Sequence, residues 1–178
     1  LIQKKEMNLY QEKIIFMPNI WNTHSGFDLE RTFNEAPVLK NKTFTFGSFN
    51  NFSKINDDVI KTWSEIIHTV KNSKLILKSS SQRVNDLLID KFTKENIINS
   101  IELISHFKSF DEHINFYKKI DLALDTFPYN GVTTSFEAIW MGVPVLTMEG
   151  YNFNSRCGES INKNLGLNNL IAKNEKDY

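Results

Sequence analysis

The chain has one cysteine, no excess of charge of either sign, no long apolar run and no His/Cys cluster at metal spacing, and each shortage removes a class of protein. A lone thiol, Cys157, cannot build an internal disulfide framework or a multi-cysteine zinc site, and it fits a reducing compartment such as the cytoplasm. The 21 Lys and Arg balance 21 Asp and Glu, so the basic excess usual for electrostatic binders of nucleic acid or membrane surfaces is missing. No apolar run approaches the roughly 20 residues of a membrane span, and the opening Leu-Ile-Gln-Lys-Lys-Glu lacks the order of a signal peptide. There is no Asp-x-Asp pair of the kind that carries a metal-bound diphosphate, and no His/Cys cluster at metal spacing. What remains is a neutral chain of 178 residues, enough for one full-sized core and a small-molecule partner. Its start without Met and its charged end read as a piece of something longer.

After residue 43 the pattern alternates. Strand-like segments lie near 43–47, 74–78, 101–106, 121–125, 143–148 and, weakly, 169–172, with helix-like segments near 57–71, 83–95, 111–119, 133–141 and 155–165. Val59, Ile60, Trp63, Ile66, Ile67 and Val70 recur at helical spacing behind an Asn56 or Asp57 cap. Strands separated by single helices cannot pair through tight turns, so they form right-handed parallel crossovers. The expected fold is α/β: a doubly wound, Rossmann-like parallel sheet over residues 43–178. Residues 1–42 read as an irregular arm. Ile14 to Phe16 suggest one short strand there, while Pro18, Gly26 and Pro37 break the rest and Trp21, Phe27 and Phe33 are scattered between. Such an arm would lie as a strap over a surface or connect to a missing lobe.

Residues 121–147 carry the clearest chemistry. Leu122, Ala123 and Leu124 form a buried apolar run, Pro128 and Asn130-Gly131 break it, and Thr134-Ser135-Phe136-Glu137 fits a capping box that opens a helix ended by Gly142. A helix beginning behind a glycine presents free N–H groups and the positive end of its dipole, to which Thr133 and Thr134 add hydroxyls. That is a cradle for an anion such as a diphosphate. In an open parallel sheet ligands bind outside the carboxyl ends of the strands, which also places Asn50, Asn51 and Lys54 of the first strand's loop at the same edge. Each residue has a plainer reading as well: Lys54 as a solvated lysine, Glu137 as a helix cap, His113 as a surface or cap residue, and Cys157 as a small buried side chain. By the same reading His24 sits at the surface, and Arg156 caps or pairs with no further role.

The string Leu124-Asp125-Thr126-Phe127-Pro128-Tyr129-Asn130-Gly131, then Thr133-Thr134, Glu137 and Met141-Gly142-Val143-Pro144-Val145, resembles the nucleotide-sugar loop of the O-linked N-acetylglucosamine transferase family, which includes the Spindly-type transferases. Phe44-Thr45-Phe46-Gly47-Ser48-Phe49-Asn50-Asn51-Phe52-Ser53-Lys54 resembles the family's other signature, and the likeness continues through Ser73 to Lys78 and Ser155 to Gly158. The resemblance implies the carboxyl-terminal, donor-binding half of a two-lobed GT-B glycosyltransferase, with UDP-GlcNAc as donor, no metal or other cofactor, and a protein or peptide Ser/Thr hydroxyl as acceptor. It also implies tetratricopeptide repeats upstream, and a catalytic base on the other, N-terminal lobe, so that no catalytic residue lies in this fragment. At the matching positions Lys54 binds the diphosphate, Asn130, Gly131, Thr133 and Thr134 form the phosphate loop, Glu137 takes the ribose hydroxyls, and His113 stacks on the base. Asn51 stands where animal members carry a longer amide. Val132 and Phe110 replace a phosphate-contacting and a ribose-contacting side chain of other members, which leaves the base open. Two further readings share this cradle: a non-catalytic nucleotide-binding module, and the donor lobe of a sugar-nucleotide epimerase.

Overall fold

Runs of two to six strand residues, each followed by a polar loop and most by a helix, build the chain. The structure, a computed structural model, describes residues 1–27, 35–105 and 107–178. The expectations for Phe33 and for residue 106, the end of the third expected strand, lie outside them. Strands β1 (Phe44–Ser48), β2 (Ser73–Lys78), β3 (Ile101–Ile104), β4 (Leu122–Leu124), β5 (Val145–Met148) and β6 (Ile171–Ala172) form one sheet among the described residues. Its order is β3-β2-β1-β4-β5-β6 and every pair is parallel. The expected doubly wound, Rossmann-like sheet is therefore what the chain forms.

Helices α1 (Pro37–Asn41), α2 (Asp57–Thr69), α3 (Gln82–Lys94), α4 (Phe110–Phe116), α5 (Thr133–Trp140) and α6 (Cys157–Asn164) join a 3-10 helix in the arm (Lys4–Leu9) and short 3-10 turns along the rest of the chain. Side chains of Asn56, Ser81 and Ser109 accept from the amides of Val59, Val84 and Glu112, so α2, α3 and α4 each begin at a capped end. Of the two candidate caps for α2, Asn56 is the one used. Val59, Ile60, Trp63 and Ile67 of α2 pack with Phe46, Leu75, Leu77, Leu88 and Phe92 into one core cluster. Ile76, Ile114, Tyr117, Ala123, Ala138 and Val145 fill a second. Burying each large side chain contributes about 1.5–3 kcal/mol, and Trp63 and Leu75 are fully buried. The sheet order reverses between β1 and β4, so the loops leaving these two strands diverge around a crevice at their carboxyl ends.

The arm departs from expectation. Residues 14–16 form no strand, and Ile15 is 77 % exposed. A lone extended segment with no sheet edge beside it has no partners for its backbone groups. Arg156 turns out to tie the arm down: its guanidinium donates to both carboxylate oxygens of Glu6 at 2.8 and 2.9 Å, and to the carbonyls of Leu1, Gly150 and Tyr151. That pairing holds the Glu6 carboxyl at about 2. A cavity of about 730 Å³ forms an apolar groove beside Phe44, Ile66, Leu122 and Tyr178, at the amino ends of β1 and β4 and so across the sheet from the crevice. No helix of the described residues is long and apolar enough to cross a membrane.

Candidate functional site

Strand β4 delivers Asp125 into the core, where it is 1 % exposed. Its carboxylate accepts from the Thr126 amide at 2.9 Å, the Gly131 amide at 2.6 Å and the Thr147 hydroxyl at 2.8 Å. A buried charge needs such donors, yet burial still outweighs them and pushes the carboxyl up to about 6. The turn that follows is closed on itself. Thr126 Oγ1 donates to the Tyr129 carbonyl, Asn130 Nδ2 donates to the Thr126 carbonyl, and Asn130 Oδ1 accepts from the Gly158 amide. Asn130 is thus spent on shaping the turn, and its side chain is not offered to solvent.

Gly131 is where two loops meet. A Cβ there would stand 2.5 Å from Thr134 Oγ1 and 2.6 Å from Asn50 Oδ1, so any other residue would push these two side chains aside. Thr134 Oγ1 donates to Asn50 Oδ1 at 2.8 Å, joining the β4 loop to the β1 loop across the crevice. This contact corrects the expected capping box. The N-cap of α5 is Val132, whose apolar side chain cannot cap; Thr134 is already inside the helix, and Glu137 turns elsewhere. Among the described residues the first-turn amides of α5 therefore keep no side-chain acceptor, which is the state in which a helix start attracts an anion. Thr133 is exposed at that start.

Lys54 ends the 3-10 turn Phe52–Lys54, which Asn51 caps by accepting from the Ser53 amide at 3.0 Å. Its ammonium donates to the Asn130 carbonyl at 2.8 Å and lies 4.4 Å from the centroid of the Tyr129 ring. Burial lowers its pKa, against the opposing pull of Asp125. This is no freely solvated lysine; it is a half-buried cation held over the turn. A polar cleft of about 330 Å³ opens beside Asn50 and Asn51, with Lys78, Ser79 and Ser105 on its walls.

On the other side of α5, His113 and Glu137 are buried, which corrects the surface or cap placement of the plainer readings. Glu137 Oε2 accepts from the Tyr117 hydroxyl at 2.9 Å, and His113 Nε2 lies 3.0 Å from the same oxygen. A carboxylate only accepts, so Nε2 is the donating nitrogen. Rings of Phe49, Phe107, Phe110 and Tyr117 surround the imidazole at centroid distances of 5.0 to 6.2 Å. Little of it is left open to a ligand. Tyr117 is held protonated, its pKa raised by burial and then by the Glu137 charge. Cys157 is a buried thiol that burial and Asp125 push up to about 11, in keeping with a packing role. His24 lies against Phe27 and Phe136, half-buried, its Nδ1 accepting from the Gly26 amide.

Sequence reasoning brought Lys54, Asn130, Gly131, Thr133 and Thr134 to one edge, and the structure gathers them there, with Asn51 at the rim. It missed Asp125 and Tyr117 as organisers of the site; Asn50, expected at the same edge, proves to be the acceptor of Thr134. An acidic residue closing an apolar strand was the available signal for Asp125; nothing local marked Tyr117.

A parallel sheet whose order reverses at a crevice, with a glycine turn and a helix start facing it, defines a Rossmann-like α/β domain. The particular family follows from comparison: the chain belongs to glycosyl transferase family 41, whose family model matches residues 30–178. It is 36 % identical over 176 residues to the tomato (Solanum lycopersicum) probable UDP-N-acetylglucosamine–peptide N-acetylglucosaminyltransferase SPINDLY, covering 94 % of this chain and 18 % of that protein. A solved structure of a mutant O-GlcNAc transferase from Thermobaculum terrenum matches with a TM-score of 0.73 and 33 % identity, over 76 % of this chain and 27 % of that one. The C-terminal domain of a group 1 glycosyltransferase from Francisella tularensis shares the fold alone, with a TM-score of 0.53 and 13 % identity, over 77 % of this chain and 83 % of that domain. The chain spans about a fifth of the length of the curated relatives it matches.

Proposed function

We propose that this chain is the donor-nucleotide-binding half of an inverting glycosyltransferase that moves N-acetylglucosamine from UDP-GlcNAc to Ser and Thr hydroxyls of protein. The observation that carries the reading is the convergence, in a member of family 41, of the Lys54 ammonium, the Gly131 turn and the uncapped start of α5 at one edge of the sheet. The diphosphate lies over the Thr133 and Thr134 amides with Lys54 beside it, Glu137 takes the ribose hydroxyls, and His113 lies near the base. Asn51 borders the phosphates, while Asn130 and Gly131 shape the loop that receives them.

When the sugar–phosphate bond breaks, negative charge grows on the departing diphosphate. Donors already fixed around that position stabilise it more in the transition state than in the ground state. Lys54 and the α5 amides meet this charge, so binding needs no divalent ion and no further cofactor. Residues 43–178 form the donor domain, and residues 1–42 connect to a second, N-terminal lobe that supplies the catalytic base and receives the acceptor protein. On its own the chain binds nucleotide and transfers nothing. The whole protein works in the cytoplasm, with neither nucleic acid nor membrane as partner. Crystals of the chain grown with uridine diphosphate test the placement. Phosphate oxygens within hydrogen-bonding reach of Lys54 Nζ and the α5 amides are expected, and nucleotide bound elsewhere on the molecule would refute it.

A further inference from the structure

We propose that Tyr117 is a positioning residue for the donor: its hydroxyl, together with His113, fixes the Glu137 carboxylate so that Oε1 is left to accept from the vicinal hydroxyls of a nucleotide ribose. The inference rests on the reading of this edge as a nucleoside-diphosphate site. Tyr117 opens the 3-10 turn after α4 and is 2 % exposed, its ring packed edge-on against Phe49 at 4.7 Å. A phenylalanine would pack in that place equally well. The hydroxyl is therefore the feature to explain, because a buried hydroxyl is retained only where it is paired.

Its partner is Glu137 Oε2, at 2.9 Å, and His113 Nε2 reaches that same oxygen at 3.0 Å. Both donors fall on one oxygen. Oε1 has no hydrogen-bond partner among the described residues. A glutamate has several rotatable bonds, and two donors from the α4 segment hold it in one arrangement before any ligand arrives. Ordering it in advance removes an entropic cost that binding would otherwise carry. The remaining oxygen has lone pairs for two hydroxyls, the number a ribose cis-diol presents. The Tyr117 hydroxyl also lies 3.3 Å from the Thr134 carbonyl, so the same residue joins the diol side of α5 to its phosphate side.

Calorimetry with uridine diphosphate and with 2′,3′-dideoxyuridine diphosphate separates positioning from packing. The parent chain should prefer the ribonucleotide by about tenfold or more, the worth of one charge-assisted contact. Tyr117→Phe should lose most of that preference, its affinity for the dideoxy compound staying within about twofold, and adding it to Glu137→Gln should cost nothing further. Equal weakening of both ligands by Tyr117→Phe, or of neither, overturns the proposal and leaves Tyr117 a packing residue. A parent that binds both diphosphates equally well also overturns it, while the diphosphate reading stands; a parent that binds neither ends both. Should Tyr117→Phe fail to fold, the hydroxyl proton of Tyr117 in the parent's NMR spectrum gives the same answer. The ribonucleotide should shift it and the dideoxy compound should not, and an equal response to the two overturns the proposal.

Discussion

Asp125 makes the stability of this domain depend on pH in a direction opposite to that of most carboxylates. Its proton is held more tightly in the folded chain, at about 6 against an ordinary 3.8, because burial outweighs the three donors around it. Folding therefore takes up a proton between these values, and the stability that comes with it is full below about 3.8 and is lost as pH rises through about 6. At 1.36 kcal/mol per pH unit the difference amounts to about 3 kcal/mol, a large part of a typical 5–15. Asp125→Asn removes the titration while keeping the shape. Its oxygen can still accept from the Thr126 and Gly131 amides, and its amide can donate to Thr147 Oγ1, which turns from donor to acceptor. Urea unfolding of parent and variant at half-unit steps from pH 4 to pH 7.5 reads the effect. The parent should lose stability relative to the variant as pH rises from about 4 to about 6, and then run parallel to it. Curves that run parallel over the whole range would show that Asp125 is ionised throughout and that the reasoning from burial is wrong. Asp125→Ala, which leaves two amides and a hydroxyl without an acceptor, should cost about 3 kcal/mol or more at any pH in this range.

Other outcomes follow from the contacts around the crevice. Lys54→Ala should weaken diphosphate binding about tenfold or more in a calorimetric titration, while the lost bond to the Asn130 carbonyl lowers stability by only about 1 kcal/mol in thermal unfolding. Thr134→Ala breaks the bond to Asn50 and should cost about 0.5–1.5 kcal/mol and weaken nucleotide binding, with Thr134→Ser recovering both. Gly131→Ala drives a methyl against Thr134 and Asn50 and should destabilise by about 1–3 kcal/mol in urea unfolding, with loss of binding. Excess EDTA should leave the affinity for uridine diphosphate unchanged, and a clear loss would point to a metal-bridged site.

The elements that sequence reasoning placed well are those written in local pattern. The α2 face from Val59 to Val70, the strand at Leu122 to Leu124 and the Asn130-Gly131 turn all announce themselves within a few residues, and the crossover rule turns their order into a sheet with a switch point. The candidate site was legible to the same depth, as a glycine turn before a helix. What misled was a local pattern with a stronger distant competitor: Thr134 and Glu137 have capping-box spacing, but Asn50, 84 residues away, claims the threonine, and Tyr117 and His113, 20 and 24 residues away, claim the glutamate. The Arg156–Glu6 pair, 150 residues apart, was invisible for the same reason. The expected strand at 14–16 failed because an apolar triplet makes a strand only where a sheet edge stands beside it.

The central claim is that the crevice between the β1 and β4 loops holds a nucleoside diphosphate through its second phosphate. Calorimetric titration of the chain with uridine diphosphate and uridine monophosphate tests it most directly, because the proposal has the Lys54 ammonium and the start of α5 act on the part that only the diphosphate has. The account predicts that the diphosphate binds tighter by about tenfold or more, the worth of at least one charge-assisted contact. Equal affinity for the two, or no binding of either, would contradict it.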